Sequence, residues 1–419
     1  MTITKIRDKA IYLLPILTLF DSYYLFNISN FYVTLSVIGL IVVLLLSLFC
    51  FNFTKKDLYY FWTILLLLSI AFITNSNSSL TSFFLYIFMF FTFILSKHKC
   101  NTNQMDKWIK RFVIFINIFA IIGIIQFMSN FTNIEFFDVI IDGHMVEGFN
   151  RGNYIYIGNL SLMRAHSLYP EPSSLSQYSS FAIIAAFYLY KNKVIKKNFL
   201  FITIFLSAIA TICSISGTGP LMLTIVAVVY LVNKFRNKQQ KLKAQDYWLL
   251  TGVLVSIFAF ILLPNNLKNY LFTRLSEISN PELSGGMRFT FPYLVMFNSW
   301  KLNFFGVGSG NEAYAIHQYY SNTVSVQDVL SSGYAKMGVE LGLLGLIFLF
   351  TLIHQCKNKR YYYFFIILLT YNFIGGNLLN SHFWCFMCFF NVIASQKLCY
   401  ETNKKLDYKS QYQKAYSTF

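Results

Sequence analysis

Arg164, His166 and Glu171 fall within eight residues, in the stretch RAHSLYPEPSSLSQ (164–177). A guanidinium is a planar fork that pairs with phosphate oxygens. A carboxylate or an imidazole can hold or move a proton. The three types together suit transfer chemistry at a phosphate-bearing substrate. A second stretch, SGGMRFTFPYLVMFNSWKLNFFGVGSGNEAY (284–314), supplies Arg288 and then GVGSGN (306–311). Backbone N–H groups around Gly306, Gly308 and Gly310 could face an anion. A plain flexible turn explains the same glycines equally well.

These residues rank by role. Arg164 and Arg288 are the candidates for an anionic group, with Arg151 and Arg274 in reserve. Glu171 is the first candidate base, His166 the second and His317 the third. Glu171 could instead hold Arg164 in position. Each also has a purely structural reading. Pro172 suits the first turn of a helix, so Glu171 would sit where a helix dipole favours an anion. Arg164 would then anchor to lipid headgroups, and His166 would be a simple loop histidine.

The elements that position these groups follow from composition. The 419 residues are 56% hydrophobic and only 12% charged, about half the charge of a soluble domain. The chain reads as an all-α polytopic membrane protein, a single multispanning domain over 1–419. About 12 apolar runs of spanning length cover 10–28, 31–53, 59–74, 79–96, 109–129, 174–190, 198–215, 218–233, 247–264, 334–353, 361–377 and 380–397. Nothing near the N-terminus reads as a cleaved signal peptide. No soluble domain and no internal repeat is visible.

Lysine and arginine fix the expected orientation. With both termini cytoplasmic, the inner segments hold 27 of the 34 basic residues. The outer side keeps Arg151, Arg164, Lys268, Arg274, Arg288, Lys301 and Lys336. The net charge of +17 is then mostly topology and contact with anionic lipid headgroups, and nucleic-acid binding is excluded as its explanation. Both long loops, 130–173 and 265–333, fall outside. The mostly apolar stretch opened by Arg288 is interrupted by Asn298, Ser299 and Lys301, and reads as an interfacial helix. Neither outer loop carries a cysteine, so no disulfide framework is expected there. CFMC (385–388) lies in an apolar run and reads as packing. No metal-ligand cluster is seen, since Asp138 and Asp142 share at most one helix face. Asp21 and His382 stand out as polar residues inside or at the edge of spans. Asp21 could line a lipid or sugar cavity towards the outer leaflet or make a helix–helix contact, and His382 could line the same cavity, although it reads as packing.

The Arg164–(x)6–Glu171-Pro172-Ser173 element, the Arg288–(x)17–Gly306-Val307-Gly308 block and the MGVELGLLG start of the following helix (337–345) occur in this order. Together they resemble the O-antigen polymerase and ligase superfamily, and most closely the Wzy-type polymerases. The resemblance covers about 164–350 in motifs and the whole chain in topology. It implies an inner-membrane glycosyltransferase that joins undecaprenyl-diphosphate-linked oligosaccharide repeat units on the periplasmic side, without a cofactor or metal. Its partners would be those lipid-linked sugars, membrane lipids and a chain-length regulator protein. A fixed cation stabilises the charge that gathers on a departing diphosphate, which is the role expected of Arg164 and Arg288. Ligases of the superfamily carry a histidine late in the second loop. VQDVLSSGYAKMGVELG (326–342) has none, which favours polymerase over ligase. A lipid-sugar flippase is the further alternative, and would place more ionisable residues at mid-membrane.

Overall fold

Apolar runs become helices here because every backbone polar group must find its partner within the segment when no water is at hand. The computed structural model describes residues 3–28, 31–50, 54–75, 78–97, 102–132, 154–157, 160–236, 276, 279–280, 284–320, 330–355, 362–374 and 381–391. The helices are α1 (Ile3–Leu17), α2 (Leu35–Phe49), α3 (Lys55–Ile73), α4 (Leu80–Leu95), α5 (Thr102–Met128), α6 (Pro172–Lys191), α7 (Lys197–Ser214) and α8 (Thr218–Arg236). After the second long connection come α9 (Ser284–Phe289), α10 (Phe291–Leu302), α11 (Glu312–Tyr320), α12 (Gly333–Gln355) and α13 (Tyr362–Ile374). A last helix, α14, covers 381–391. Four of these, within α3, α5, α7 and α12, are long and apolar enough to cross a membrane. Large side chains such as Trp62, Leu66, Ile73, Phe205 and Ile212 are exposed on the outward faces, the surface that lipid would cover. The expected span 247–264 lies outside the described residues.

Two antiparallel hairpins break the helical pattern. Tyr24–Ile28 (β1) pairs with Phe31–Thr34 (β2), with Asn27 opposite Tyr32. Tyr154–Ile157 (β3) pairs with Leu160–Met163 (β4). The first hairpin corrects the sequence reading, which carried helical spans through 24–28 and 31–34. Aromatic and β-branched residues in Tyr24-Leu25-Phe26 and Phe31-Tyr32-Val33 are apolar enough for a span but prefer a strand. The Tyr24 and Tyr32 rings lie 4.9 Å apart across the pair. Phe289 and Phe291 also sit in two helices where one was expected. The break falls at Thr290, and Pro292 opens the second. Proline cannot donate into a preceding turn but is accommodated at a helix start.

At the centre lies α6, packed against α5, α7 and α8. Its composition explains that position. Ser176, Ser179 and Ser180 are buried, and small polar residues let backbones approach closely. Ser180 Oγ donates to the Gly219 carbonyl of α8 at 3.0 Å, and the Gly219 N–H donates to Ser176 Oγ at 3.1 Å.

Polar contacts collect at the two ends of the bundle. One end holds the Asp57–Lys97 ion pair, the Tyr188 to Asp106 bond at 2.7 Å and the Asn391 to Phe93 carbonyl bond at 2.7 Å. The opposite end holds both hairpins, the start of α6, the end of α7, and α9 to α11.

Candidate active site

Glu171 is the residue immediately before α6, with Pro172 in the first turn. Its carbonyl accepts from the Ser174 N–H at 3.0 Å, but its carboxylate does not cap the helix. Oε2 instead accepts from Ser173 Oγ at 2.7 Å and from Arg288 Nη2 at 3.1 Å. The pair joins the two long loops across 117 positions. The Arg288 and Glu171 side chains are 28% and 22% exposed, so each is reachable yet mostly shielded from solvent screening. Arg288 lies in the last turn of α9. That short helix docks on α13 through Phe289 and Phe373, and Tyr293 of α10 stacks on the same Phe373 ring at 5.2 Å. Burial pushes the Tyr293 phenol up to about 12, so it stays neutral while sharing a hydrogen bond with Ser332 at 2.9 Å.

Arg164 is half-buried, and its Nε donates to the Ser214 carbonyl at 3.0 Å. Ser214 ends α7, where the helix dipole favours a cation. The next residue along, Ala165, donates its N–H to the Cys213 carbonyl. Ser216 and Thr218 then reach the start of α6, through the Ser176 hydroxyl and the Ser173 carbonyl. Arg164 and Glu171 are therefore tied to one scaffold without an ion pair between them, and Arg288 is the arginine that Glu171 holds.

His166 is not a surface-loop histidine. It is buried, with Nδ1 3.2 Å from the Tyr169 carbonyl and Nε2 3.0 Å from Gln126 Nε2. The Gln126 side-chain Oε1 accepts the N–H groups of His166 and Ser167. With Nδ1–H donating to Tyr169, Nε2 accepts from Gln126. His166 thus secures the turn before α6, because both ring nitrogens are committed inside the protein. His317 is exposed on α11. Arg151 and Arg274 lie outside the described residues.

The glycine run turns most of its N–H groups to backbone carbonyls, and only Gly310 meets an anion, which is the chain's own. Glu340 of α12 is fully buried. Its carboxylate accepts from the Gly310 backbone and from the Tyr86 hydroxyl. The N–H groups of Gly306, Val307 and Gly308 go to the carbonyls of Asn303, Val339 and Glu340. Gly306 and Gly342 meet backbone to backbone, both with positive φ. Lys336 sits between Glu312 and Glu340, 3.4 Å from the latter. Gly306, Gly308 and Gly310 are thus a buried seam between α4, α10 and α12, not an open cradle for substrate. Lys336, expected among the outer cations, is buried in that seam; its spacing from Glu340, one helical turn on, was the available signal.

A second constellation was not assembled from sequence. Asp21 follows the 3-10 turn Thr18–Phe20 at the end of α1. Its carboxylate meets His382 Nε2 at 2.7 Å, and accepts from the Ser36 backbone at 3.2 Å and from Ser381 Oγ at 3.0 Å. The other ring nitrogen, His382 Nδ1, lies 3.3 Å from the Tyr371 hydroxyl. Tyr371 lies two residues before Phe373, and the Phe373 ring packs on Phe289, the residue after Arg288. The Arg288–Glu171 pair and the Asp21–His382–Tyr371 chain therefore lie on elements that touch. Among the described residues, no group of three or more His, Cys, Asp or Glu is arranged to hold a metal ion.

Fold and site together define a mostly helical protein with four described helices long and apolar enough to cross a membrane, and with charged residues gathered at one end of its bundle. No protein-family model matches the chain, and no curated protein matches it.

Proposed function

We propose that this chain is a membrane glycosyltransferase of the bacterial inner membrane. It joins undecaprenyl-diphosphate-linked oligosaccharide repeat units at the periplasmic face, as an O-antigen or surface-polysaccharide polymerase. The observation that carries this reading is the Arg288–Glu171 ion pair. It unites the two motif elements at the end of the bundle where both long loops emerge. The expected orientation gives that end to the periplasm, and the expected inner partners Asp57 and Lys97 meet at the other end, which supports the assignment.

In this reading Arg288 receives the donor diphosphate. Glu171 takes one of its N–H donors and fixes the plane of the guanidinium, leaving the fork aimed at phosphate oxygens. Arg164, held at the α7 terminus, supplies the second cation. Both sit where negative charge grows as the diphosphate departs. The positioning role for Glu171 is favoured over the base role, because its Oε2 already accepts two hydrogen bonds.

The test is the surface-glycan profile of a strain lacking the gene. Single repeat units on the lipopolysaccharide core support a polymerase. Absence of antigen with long lipid-linked chains would make it a ligase. Loss of both, with repeat units trapped on the cytoplasmic side, would make it a flippase.

A further inference from the structure

The polymerase reading leaves one step without a residue: the acceptor hydroxyl must lose its proton as it attacks. Glu171 is engaged with Arg288 and Ser173, and both nitrogens of His166 are committed. Resting on that reading, we propose that Tyr371, His382 and Asp21 form a proton relay, with Tyr371 the catalytic residue that meets the acceptor hydroxyl.

The geometry gives each group a distinct place. Asp21 and His382 are buried, and Tyr371 is the half-buried member of the three. Tyr371 lies two residues from Phe373, on which Phe289, the neighbour of Arg288, packs. The hydrogen bonds also fix a tautomer. A carboxylate can only accept, so His382 Nε2 carries the hydrogen towards Asp21. In the neutral ring Nδ1 then has a lone pair for the Tyr371 O–H. This is the logic of a carboxylate–histidine–hydroxyl triad, built from three helix termini rather than from a loop. Ser36 and Ser381 hold the Asp21 carboxylate in place through their own donors, so the orienting group is itself oriented.

The step balances. The acceptor oxygen forms a bond to the donor sugar's anomeric carbon, and the bond from that carbon to the diphosphate oxygen breaks. The acceptor's proton passes to the Tyr371 oxygen while the tyrosine's own proton passes to His382 Nδ1. The imidazolium that results faces Asp21, and the bond's electron pair leaves with the lipid diphosphate towards Arg288. Water later removes the proton from His382. Asp21 touches no reacting atom and is a positioning residue.

Asp21, Tyr371 and Tyr178 stand around His382, the Tyr178 ring centroid lying 6.4 Å from that of the imidazole. A glutamine at 382 has no ring nitrogen to take the Tyr371 proton, so transfer should be slow in His382→Gln.

The experiment uses the full chain purified into liposomes and has two readouts. The first is labelling of Tyr371 by benzenesulfonyl fluoride, followed by mass spectrometry. The relay predicts labelling roughly ten-fold slower in His382→Gln and Asp21→Asn. The second is sugar transfer from undecaprenyl-diphosphate-linked oligosaccharide isolated from cells lacking the protein. Tyr371→Phe should lose about 10²-fold or more of the rate, with binding of that lipid unchanged. It removes one oxygen, so it tests the relay even if the buried variants fail to fold. Wild-type transfer together with full activity in Tyr371→Phe would overturn the relay and leave the polymerase reading standing. His382-dependent labelling without any wild-type transfer would support the proton-relay geometry and sink the polymerase reading. Labelling indifferent to His382 would overturn the relay outright.

Discussion

Removing Glu171 should cost activity only through Arg288. The contact is one charge-assisted hydrogen bond of 3.1 Å between groups 28% and 22% exposed. A hydrogen bond to a charged group contributes about 1.5–3 kcal/mol. At about 1.4 kcal/mol per decade, its loss slows transfer by roughly 10- to 150-fold. Glu171→Ala and Arg288→Ala should each fall in or somewhat beyond that range. If Glu171 acts by holding Arg288, the double variant should be no slower than Arg288→Ala alone. The coupling energy would then be about the full 1.5–3 kcal/mol, the upper part of the range for residues in contact. A general base acts independently of the clamp and contributes about 10²- to 10⁴-fold, so the losses would multiply. The assay is the initial rate of polymer formation in liposomes at matched protein levels. Multiplicative losses would refute the positioning role. Arg288→Lys separates charge from shape: an ammonium keeps the charge but not the paired donors, and the variant should remain at least ten-fold slow.

Three further outcomes follow from the same geometry. Gly342→Ala should lower the melting temperature of the purified protein. Its φ is +66° and an added Cβ would lie 2.1 Å from the Phe304 carbonyl oxygen, adding steric overlap to the roughly 1–2 kcal/mol of a left-handed residue; unchanged melting would mean the α10–α12 seam is built differently. A reporter active only in the periplasm should be active when fused after Arg151 or Glu282 and silent after Lys193 or Lys241, and activity at Lys241 would overturn the orientation. Polymer formation should survive a strong chelator, since guanidinium groups carry the charge stabilisation in this account; loss of activity with rescue by a divalent ion would implicate Asp21, Asp138, Asp142 or Glu147 as missed ligands.

Most helices were legible because uninterrupted apolar length is a local signal. Residues 24–34 were misread for the same reason, since aromatic and β-branched residues satisfy a span and a hairpin alike. Arg288 and Glu171 could be named from sequence as chemistry out of place in an apolar chain. Their pairing could not, because it depends on α9 docking against α13. Asp21 and His382 drew attention as polar residues that could line one cavity at the outer ends of their spans. Their direct contact could not be read, because nothing local links positions 361 residues apart, and Tyr371 was one of 29 tyrosines. The glycine run was expected to face a substrate anion, but its backbone donors go mostly to carbonyls of the facing chain, and the one carboxylate that Gly310 meets is the buried Glu340 of α12.

The central claim is glycosyl transfer between lipid-linked repeat units. Its most direct measurement is the product made by the purified chain in liposomes that contain only undecaprenyl-diphosphate-linked oligosaccharide. The account predicts a ladder of lengthening glycans, each step releasing one undecaprenyl diphosphate, and its collapse in Arg288→Ala. Unchanged lipid-linked sugar after incubation with a folded, monodisperse wild-type protein would contradict it.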